Sequence, residues 1–426
     1  MNELENLKVK LNEFIREESF FKKISHKTWI YNYNTLVLDC DLSEKKIAFD
    51  FYFKDNLLYV DLIDRDLNNK KNIYCDSINS YEIAFLKFHN EIQFSFNEIR
   101  EGFSFIVSII VPVYNRENLI KSCIESINNQ KTSFENFEVV FVDDYSSDSS
   151  IKTIENLISK KVNYRILRRP INSGSASSPR NDGIKASKGE FVLFLDSDDY
   201  LYDYTIADLL DLVDKENSDI IYLKINGDKG RPFGIRPYKK GDVLQASIDK
   251  DHLVRSLMPS KLIRKSLLIK NNIYFPIDIK VGEDRVFLIQ ALSKAKKISI
   301  LANRPYYYLV NHDQERLTFA HQTLEQDLEL VSRTMRYISR SNLNIEEKKK
   351  FFSSWMNVIL ESYVKNRIKS NKNSRKNKIA YIKSIIREYS FYPELHDDSC
   401  IYPEFKVLYK YFVSYDLENL FKVNVE

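Results

Sequence analysis

An Asp-x-Asp motif, Asp196-Ser197-Asp198, directly follows the apolar run EFVLFL. Carboxylate oxygens are the ligands that Mg²⁺ and Mn²⁺ prefer, and such an ion commonly joins one or two carboxylates to the phosphates of a substrate. The motif therefore indicates a divalent-cation site that holds a phosphorylated ligand. In a simpler interpretation, Asp199 caps a helix that begins near Leu201, and Asp196 and Asp198 are solvated turn residues.

A second acidic pair, Glu283-Asp284, follows Gly282 and precedes the apolar run RVFLIQAL. This spacing predicts a helix with both acids in its first turn, facing a cleft. Acids at a helix start also interact favourably with the positive end of the helix dipole, so simple capping is the competing interpretation.

The elements that would position these acids are buried strands. Parallel sheets of buried strands bind ligands beyond the carboxyl ends of the strands, so polar residues at those ends should meet at one rim of the sheet. Those residues include Pro112, Tyr114 and Asn115 at the end of the first strand and Asp144 at the end of the second. Five apolar runs separated by helical stretches imply a mainly parallel sheet covered on both faces, and they span residues 105–114, 137–144, 164–169, 190–199 and 219–225.

The spacing of apolar residues changes within the first 104 residues, from a helical period to a period of two. Residues 2–24 carry apolar residues at helical spacing. From residue 28 to about residue 96, apolar and polar residues alternate, and KDN at 54–56 is typical of a hairpin turn. We therefore predict a small α+β unit with an antiparallel sheet, whose function no motif reveals.

The sequence after the last predicted strand predicts a loop and then helices. Residues 226–250 are rich in Gly, Pro and Lys, which favours a long loop or an edge hairpin. After Pro305 the chain has good helix formers and no glycine. The predicted domains are an N-terminal accessory domain (1–104), a catalytic domain (105–319) and a C-terminal helical domain (320–426).

Composition excludes several classes of protein. A formal net charge of +4 on 426 residues is too small to indicate a nucleic-acid-binding protein. The N-terminal sequence lacks the apolar core of a signal peptide, and no segment approaches the roughly 18 apolar residues of a membrane span. The four cysteines have no CxxC spacing, which argues against a zinc site or a disulfide scaffold and fits a reducing cytoplasm: Cys40, Cys75, Cys123 and Cys400.

Four motifs occur in a fixed order along the chain: VSIIVPVYNRENLIKSCIESINNQ, FEVVFVDDYSSDSS, NSGSASSPRNDGI and GEFVLFLDSDD. Together they resemble the family 2 glycosyltransferases, over roughly residues 105–318. The resemblance implies the A-type nucleotide-sugar transferase fold, an α/β Rossmann-like core. It also implies similarity to bacterial inverting enzymes that act on cell-surface glycans, teichoic acids or glycoproteins.

The resemblance further implies roles for individual residues. Asp198 would hold Mn²⁺ or Mg²⁺, which acts as a Lewis acid on the departing nucleoside diphosphate. Asp284 would be the general base that takes the proton from the acceptor nucleophile, with Glu283 positioning the acceptor or the loop. His312 would ligate the metal or contact phosphate, or have a structural role. Nucleotide-sugar binding falls to Pro112, Tyr114, Asn115, Asp144, Asn172, Arg180, Asp196, Ser197 and Arg316.

Some of these assignments have open alternatives. Arg180 contacts the nucleotide or its phosphates, or is a surface arginine at a helix start. Related enzymes carry a basic segment that closes over the diphosphate at the position of residues 306–318. This sequence departs there from the arginine-and-serine pattern of the family. In PSKLIRKSLL, Lys261 or Arg264 meets an anionic acceptor or belongs to a solvated basic helix face. The QxxRW motif of processive synthases is missing, which disfavours a polymerase.

The predicted function is metal-dependent, inverting transfer of a sugar from a UDP-sugar to a glycan, polyol-phosphate polymer or protein acceptor. The alternative is a binding or assembly component with a degenerate transferase core, which the intact acids Asp144, Asp196, Asp198 and Asp284 disfavour. Retention of configuration stays open, as does a homo-oligomer. The run at 365–383 has many Lys and Arg residues and no acid, so it is a solvated face or attaches the protein to anionic lipid or to a phosphate-bearing polymer. The expected location is the cytoplasm, with peripheral contact with the inner membrane face left open.

Overall fold

The computed structural model describes Val9, five strands between Ser25 and Asp76, and residues 105–229, 233–312, 323–370 and 373–423. The chain divides into two compact units. One consists of Met1–Ser104 with Arg168–Asn172, and the other of Phe105–Leu167 with Ser173–Glu426. The helix expected over residues 2–24 lies outside the described residues, apart from Val9.

The first unit contains a five-stranded antiparallel sheet in which each strand pairs with the next along the chain. Lys54 pairs with Leu57 across the turn expected at 54–56, so the predicted hairpin is confirmed. The apolar run at 91–96, which also suggested a strand, lies outside the described residues. The strands are β1 (Ser25–Asn32), β2 (Thr35–Asp41), β3 (Lys46–Lys54), β4 (Leu57–Asp64) and β5 (Asn69–Asp76).

The second unit is built on a seven-stranded sheet with the order β14-β11-β13-β9-β6-β7-β8. Its strands are β6 (Phe105–Val113), β7 (Phe137–Asp143), β8 (Asn163–Arg168), β9 (Gly189–Phe194), β11 (Ile220–Leu223), β13 (Lys261–Arg264) and β14 (Ile298–Leu301). All five predicted strands are present. The pairs β6–β7, β6–β9 and β11–β14 are parallel, which confirms the mainly parallel sheet.

Two short strands of this sheet, β13 and β14, were not predicted, and β13 makes the sheet mixed. Strand β13 runs antiparallel to both of its neighbours, so the sheet is mixed. The strands β10 (Tyr200–Leu201), β12 (Ile225–Gly227) and β15 (Tyr307–Leu309) form a separate sheet of three strands. The predicted loop at 226–250 thus begins in a strand and later contains a 3₁₀ turn at Arg236–Tyr238.

Six helices accompany this sheet within the described part of the second unit before residue 312: α1 (Ile120–Asn128), α2 (Ser150–Leu157), α3 (Ser177–Ala186), α4 (Thr205–Lys215), α5 (Lys265–Lys270) and α6 (Glu283–Leu292). A second 3₁₀ turn spans Leu253–Arg255. Helix α6 packs through Phe287, whose ring stacks on Phe275 at 3.8 Å. Both rings meet the edge or face of Phe194 at the end of β9, at 5.2 and 5.8 Å. This aromatic contact fixes the start of α6 beside the carboxyl end of β9.

The C-terminal region is helical, as predicted. It contains α7 (Leu324–Ser339), α8 (Ile345–Val358), a π-helical segment (Ile359–Lys365), α9 (Asn366–Lys369), α10 (Arg375–Ser390), α11 (Lys406–Val413) and α12 (Leu417–Lys422), with 3₁₀ turns at Pro393–Leu395 and Pro403–Phe405. Thr323 and Asn344 begin α7 and α8 with complete capping boxes. The buried Trp355 donates to Thr334 Oγ1 at 2.9 Å, which joins these two helices. Among the described helices, none has the length and apolar character needed to span a bilayer.

Candidate active site

The carboxyl ends of three neighbouring strands form the rim of the site. Strand β6 lies between β7 and β9. The amide of Asp144, just beyond β7, donates to the carbonyl of Val113 at 2.8 Å, and the amide of Leu195, just beyond β9, donates to Ile110 at 3.0 Å. Asp144 and the Asp-x-Asp motif therefore lie on the two sides of the end of β6, as the sequence predicted.

Arg180 connects the two acidic motifs. Its Nη2 lies 2.8 Å from Asp196 Oδ1, and its Nη1 lies 2.9 Å from Asp284 Oδ1 and 3.3 Å from Glu283 Oε1. The side chain is buried, so a surface arginine at a helix start is the wrong interpretation. Burial opposes its charge, yet the carboxylates of Asp196, Asp284 and Glu283 keep the pKa of Arg180 above its ordinary value. One guanidinium thus joins the motif expected at the phosphates to the pair expected at the acceptor.

Glu283 and Asp284 occupy the first turn of α6, as predicted. Gly282 precedes them with a φ of 85°, which favours glycine, and a Cβ atom there would lie 2.4 Å from Leu330 Cδ1 of α7, so the leucine side chain would have to move. Burial and the charge of Asp284 raise the pKa of Glu283 to about 8, although Arg180 opposes this. Burial likewise raises the pKa of Asp284, again against Arg180. Both acids therefore hold their protons more tightly than ordinary carboxylic acids do, a property that simple capping does not require.

Lys261 is a fully buried cation close to this pair. It lies in β13, donates from Nζ to the carbonyl of Met258 at 2.6 Å, and lies 4.5 Å from the ring centroid of Tyr222. Burial lowers the pKa of Lys261 to about 7, and the charge of Asp284 opposes this shift. Because Lys261 and Arg264 are the first and last residues of β13, a solvated helix face is the wrong interpretation.

Asp198 and His312 meet at the other end of the Asp-x-Asp motif. His312 Nε2 lies 2.5 Å from Asp198 Oδ2, and both side chains are largely buried. His312 Nδ1 is also buried and has no hydrogen-bond partner among the described residues. The structure therefore brings together the two residues that the sequence proposed as metal ligands.

Asp199 and Asp228 hold the segment that carries His312. Asp199 accepts hydrogen bonds from the hydroxyl of Tyr307 and the amide of Val310, both at 3.0 Å. The simpler interpretation, in which Asp199 caps a helix near Leu201, is wrong, because Tyr200–Leu201 form β10 and the next helix begins only at Thr205. On the opposite side of β15, Asp228 accepts from the hydroxyl of Tyr308 at 2.7 Å and from the amide of Asn311 at 2.8 Å.

The two loops after β6 and β7 are bonded to each other. Asn115 has a φ of 49°, its amide donates to Ser146 Oγ at 3.0 Å, and its Oδ1 accepts from the amide of Ser147 at 2.9 Å. Tyr114 and Tyr145 are exposed on either side of this connection. Asn115 thus holds the two loops together.

The remaining predicted donor-binding residues differ in their surroundings. Asp144 accepts from the amide of Ser173 at 3.0 Å and from its hydroxyl at 2.8 Å, a contact that the sequence did not suggest. Pro112 pairs with Val142 inside the sheet, and Ser197 is buried. Asn172 groups with the N-terminal unit, and Arg316 lies outside the described residues.

The donor set around Asp198 fits a divalent cation. A carboxylate and an imidazole are suitable ligands for Mn²⁺, and here both are largely buried and in direct contact. Within the described ranges, no group of three His, Cys, Asp or Glu side chains could hold a metal. An ion at Asp198 and His312 would therefore complete its coordination with the phosphate oxygens of a ligand and with water.

Comparison with known proteins assigns the family. The model described as glycosyl transferase family 2 matches residues 108–294. The poly(ribitol-phosphate) beta-N-acetylglucosaminyltransferase TarP of Staphylococcus aureus is 30% identical over 296 residues, which cover 68% of this chain and 90% of TarP. The poly(ribitol-phosphate) beta-glucosyltransferase of Bacillus spizizenii is 38% identical over 251 residues, covering 59% of this chain and 39% of that protein.

A solved structure agrees with this assignment. The crystal structure of S. aureus TarS residues 1–349 in complex with UDP-GlcNAc superimposes with a TM-score of 0.68 at 28% identity and covers 75% of this chain and 90% of that one. The chain spans only about two fifths of the length of the Bacillus relative. The match to nearly all of TarP, together with the shared fold, shows that the chain belongs to glycosyl transferase family 2.

Proposed function

We propose that this chain is a metal-dependent, inverting glycosyltransferase that moves a sugar from a UDP-sugar to a hydroxyl of a polyol-phosphate polymer. The observation that carries the proposal is the bridge from Arg180 to Asp196 on one side and to Asp284 on the other. The guanidinium group therefore contacts both the motif proposed to bind the donor diphosphate and the aspartate proposed to act as the base on the acceptor.

The choice of substrates rests on the relatives. The TarS complex contains UDP-GlcNAc, and TarP and the Bacillus enzyme are named for transfer to poly(ribitol-phosphate). These names favour a UDP-sugar donor and a teichoic-acid-like acceptor over other glycans or a glycoprotein. A cytoplasmic location, where UDP-sugars are made, is part of the same proposal.

The donor is held by the loops at the carboxyl rim. Tyr114 and Tyr145 present exposed rings that can cover the faces of a pyrimidine base. The side chain of Asp144 is buried, and its carboxylate can accept a hydrogen bond from the ring N–H of uracil. Its contact with Ser173 fixes the orientation of that carboxylate.

Asp284 is the proposed general base. Its carboxylate is held by Arg180 at 2.9 Å yet remains partly exposed to the cleft, so an acceptor hydroxyl can reach it. Because burial raises its pKa, the carboxylate is a stronger base toward that hydroxyl than an ordinary aspartate. Arg180 opposes the shift and so keeps the ionised form populated. Attack on the face of the sugar opposite the leaving group then inverts the anomeric configuration.

Asp198 and His312 are the proposed ligands of Mn²⁺ or Mg²⁺. When bound, the ion would supply positive charge that stabilises the departing UDP. The contribution of the chain is to hold the two ligands in place, and Asp199 and Asp228 do so through residues 307–311. A degenerate, purely binding core is disfavoured because the acids Asp144, Asp196, Asp198 and Asp284 are all present and Arg180 joins Asp196 to Asp284.

The proposal is tested by assaying UDP release from UDP-glucose and UDP-GlcNAc, with poly(ribitol phosphate) as acceptor and with Mn²⁺, Mg²⁺ or EDTA. We expect release that needs both metal and polymer, and a β-linked product by NMR from the α-linked donor. An α-linked product would refute inversion. Silence with every donor would favour the binding component.

The role of Asp284 is tested with the isosteric variant Asp284→Asn. Loss of a general base typically costs 10²–10⁴-fold in rate, so we expect transfer to fall by about that factor. Because Asp284 is not a proposed donor ligand, calorimetry should show an unchanged affinity for the UDP-sugar. Full transfer activity in this variant would eliminate Asp284 as the base.

A further inference from the structure

One face of helix α10 carries several exposed basic side chains. Lys376, Lys383 and Arg387 recur at spacings of seven and four residues, which places them on one side of the helix, and all are exposed. Arg375 is exposed beside them. The opposite side packs into the core through Ile382 and other buried residues.

Exposed aromatic side chains lie among these cations. Lys383 Nζ is 5.8 Å from the ring centroid of Tyr415, and Arg387 Cζ is 5.9 Å from that of Phe391. Both rings are more than half exposed, Tyr415 at 51% and Phe391 at 56%. We call the set Arg375, Lys376, Lys383, Arg387, Phe391 and Tyr415 the basic–aromatic face.

Acids near this face are few: Glu388 follows Arg387 in the sequence, and Glu418 of α12 lies close enough to Arg375 for that charge to contribute to lowering the pKa of Glu418. No Asp or Glu occurs in the sequence between Glu361 and Glu388. Among the described residues, the four cations of the face form no salt bridge, whereas Arg367 of the same basic run pairs with Asp327. Lys378 donates to the carbonyl of Ile368. The run therefore divides into structural cations and a second group that faces solvent.

We propose that the basic–aromatic face docks the protein on an anionic lipid surface. Lys and Arg attract anionic headgroups, and Tyr and Phe side chains insert at the boundary between headgroups and acyl chains. A polyol-phosphate polymer offers the same phosphate charge but no apolar layer, so it would leave Phe391 and Tyr415 in water. The exposed rings therefore favour lipid over polymer.

The test uses the full chain and vesicles of phosphatidylcholine with or without phosphatidylglycerol. We expect the protein to sediment with the anionic vesicles only. Each cation near such a surface contributes about fivefold to binding. Neutralising Arg375, Lys376, Lys383 and Arg387 to Gln should thus reduce the partition coefficient several hundredfold. Equal binding by this variant and the unchanged protein would overturn the proposal.

A control variant distinguishes the effect of this face from the effect of net charge. A variant with the exposed residues Lys121, Lys152, Lys160 and Lys161 changed to Gln has the same net charge and should bind like the unchanged protein. If it loses binding equally, net charge and not this face is responsible, and the proposal fails. Both variants should keep sugar transfer to a soluble acceptor.

A variant with Phe391→Ser and Tyr415→Ser tests the apolar part of the face. We expect it to bind anionic vesicles more weakly and to be released at lower salt than the unchanged protein. Soluble poly(ribitol phosphate) is the competing ligand. If it binds through the four cations as tightly as the vesicles do, and the two serine substitutions have no effect on vesicle binding, the partner is the polymer and the proposal is refuted.

Discussion

Arg180→Lys is the substitution that tests the site most directly. Lysine retains the charge but replaces the planar fork, which now contacts Asp196 at 2.8 Å and Asp284 at 2.9 Å, with a single ammonium. One of the two contacts must then be lost. A hydrogen bond between charged groups contributes about 1.5–3 kcal/mol, so kcat/KM should fall by roughly 10–150-fold.

The same substitution has a predicted effect on pH dependence. Arg180 opposes the upward pKa shifts of Glu283 and Asp284, so weakening its contacts raises both pKa values further. A higher pKa leaves less of the base ionised at a given pH. The acidic limb of the kcat/KM profile should therefore move to higher pH, and the variant should lose more activity at pH 6 than at pH 8.

A matched control is available at the other end of the sheet. Arg165 pairs with the buried Glu138 at 2.8 Å, near the amino ends of the strands. Arg165→Lys should destabilise the fold without moving the pH profile, as measured by UDP release from pH 5 to 9 and by urea unfolding. If both variants change the profile alike, or if Arg180→Lys retains the rate and profile of the unchanged protein, Arg180 does not position the base.

Three further substitutions give separate measurements. Asp228→Asn removes a carboxylate that holds residues 308–311, and its Kd for Mn²⁺, measured by electron paramagnetic resonance of free ion, should rise about 10–100-fold; an unchanged Kd would contradict the proposed support of His312. Lys261→Met removes an amine whose pKa is about 7 when folded and 10.5 when unfolded. The unfolded chain binds more protons across that window, so the free energy of unfolding should rise with pH from 7 to 10.5 in the unchanged protein and not in the variant. Gly282→Ala should lower stability by about 1–3 kcal/mol or more through its positive φ and its contact with Leu330, whereas Gly174→Ala, with 3.8 Å to its nearest neighbour, should cost less; equal losses would refute the role of Leu330.

The acids of the site could be predicted from the sequence because they follow apolar runs that form the centre of the sheet. Asp144, Asp196 and Asp198 lie at strand ends, where topology alone brings them together. The end of β9 was harder to place: the predicted strand ran to residue 199, but β9 ends at Phe194 and the motif lies in the turn that follows.

Other parts of the site depend on contacts between distant residues. Nothing in the sequence around Lys261 distinguishes a buried lysine from an exposed one, because its burial follows from β13 lying between two apolar strands. The bridge from Arg180 joins residues about a hundred positions apart, which no local pattern encodes. The supporting roles of Asp199 and Asp228 likewise require β15 to pair between β10 and β12.

The contact between Gly282 and Leu330 also bears on how the enzyme is completed during synthesis. Gly282 begins the helix that carries Asp284, but the side chain that covers it belongs to α7, which leaves the ribosome later. Arg285, next to Asp284, further bonds to Tyr363 in the π-helical segment at 2.5 Å. A nascent chain that already contains the proposed donor loops therefore still lacks the packing around Asp284, the proposed base. The C-terminal helices therefore complete this part of the proposed catalytic centre last during synthesis.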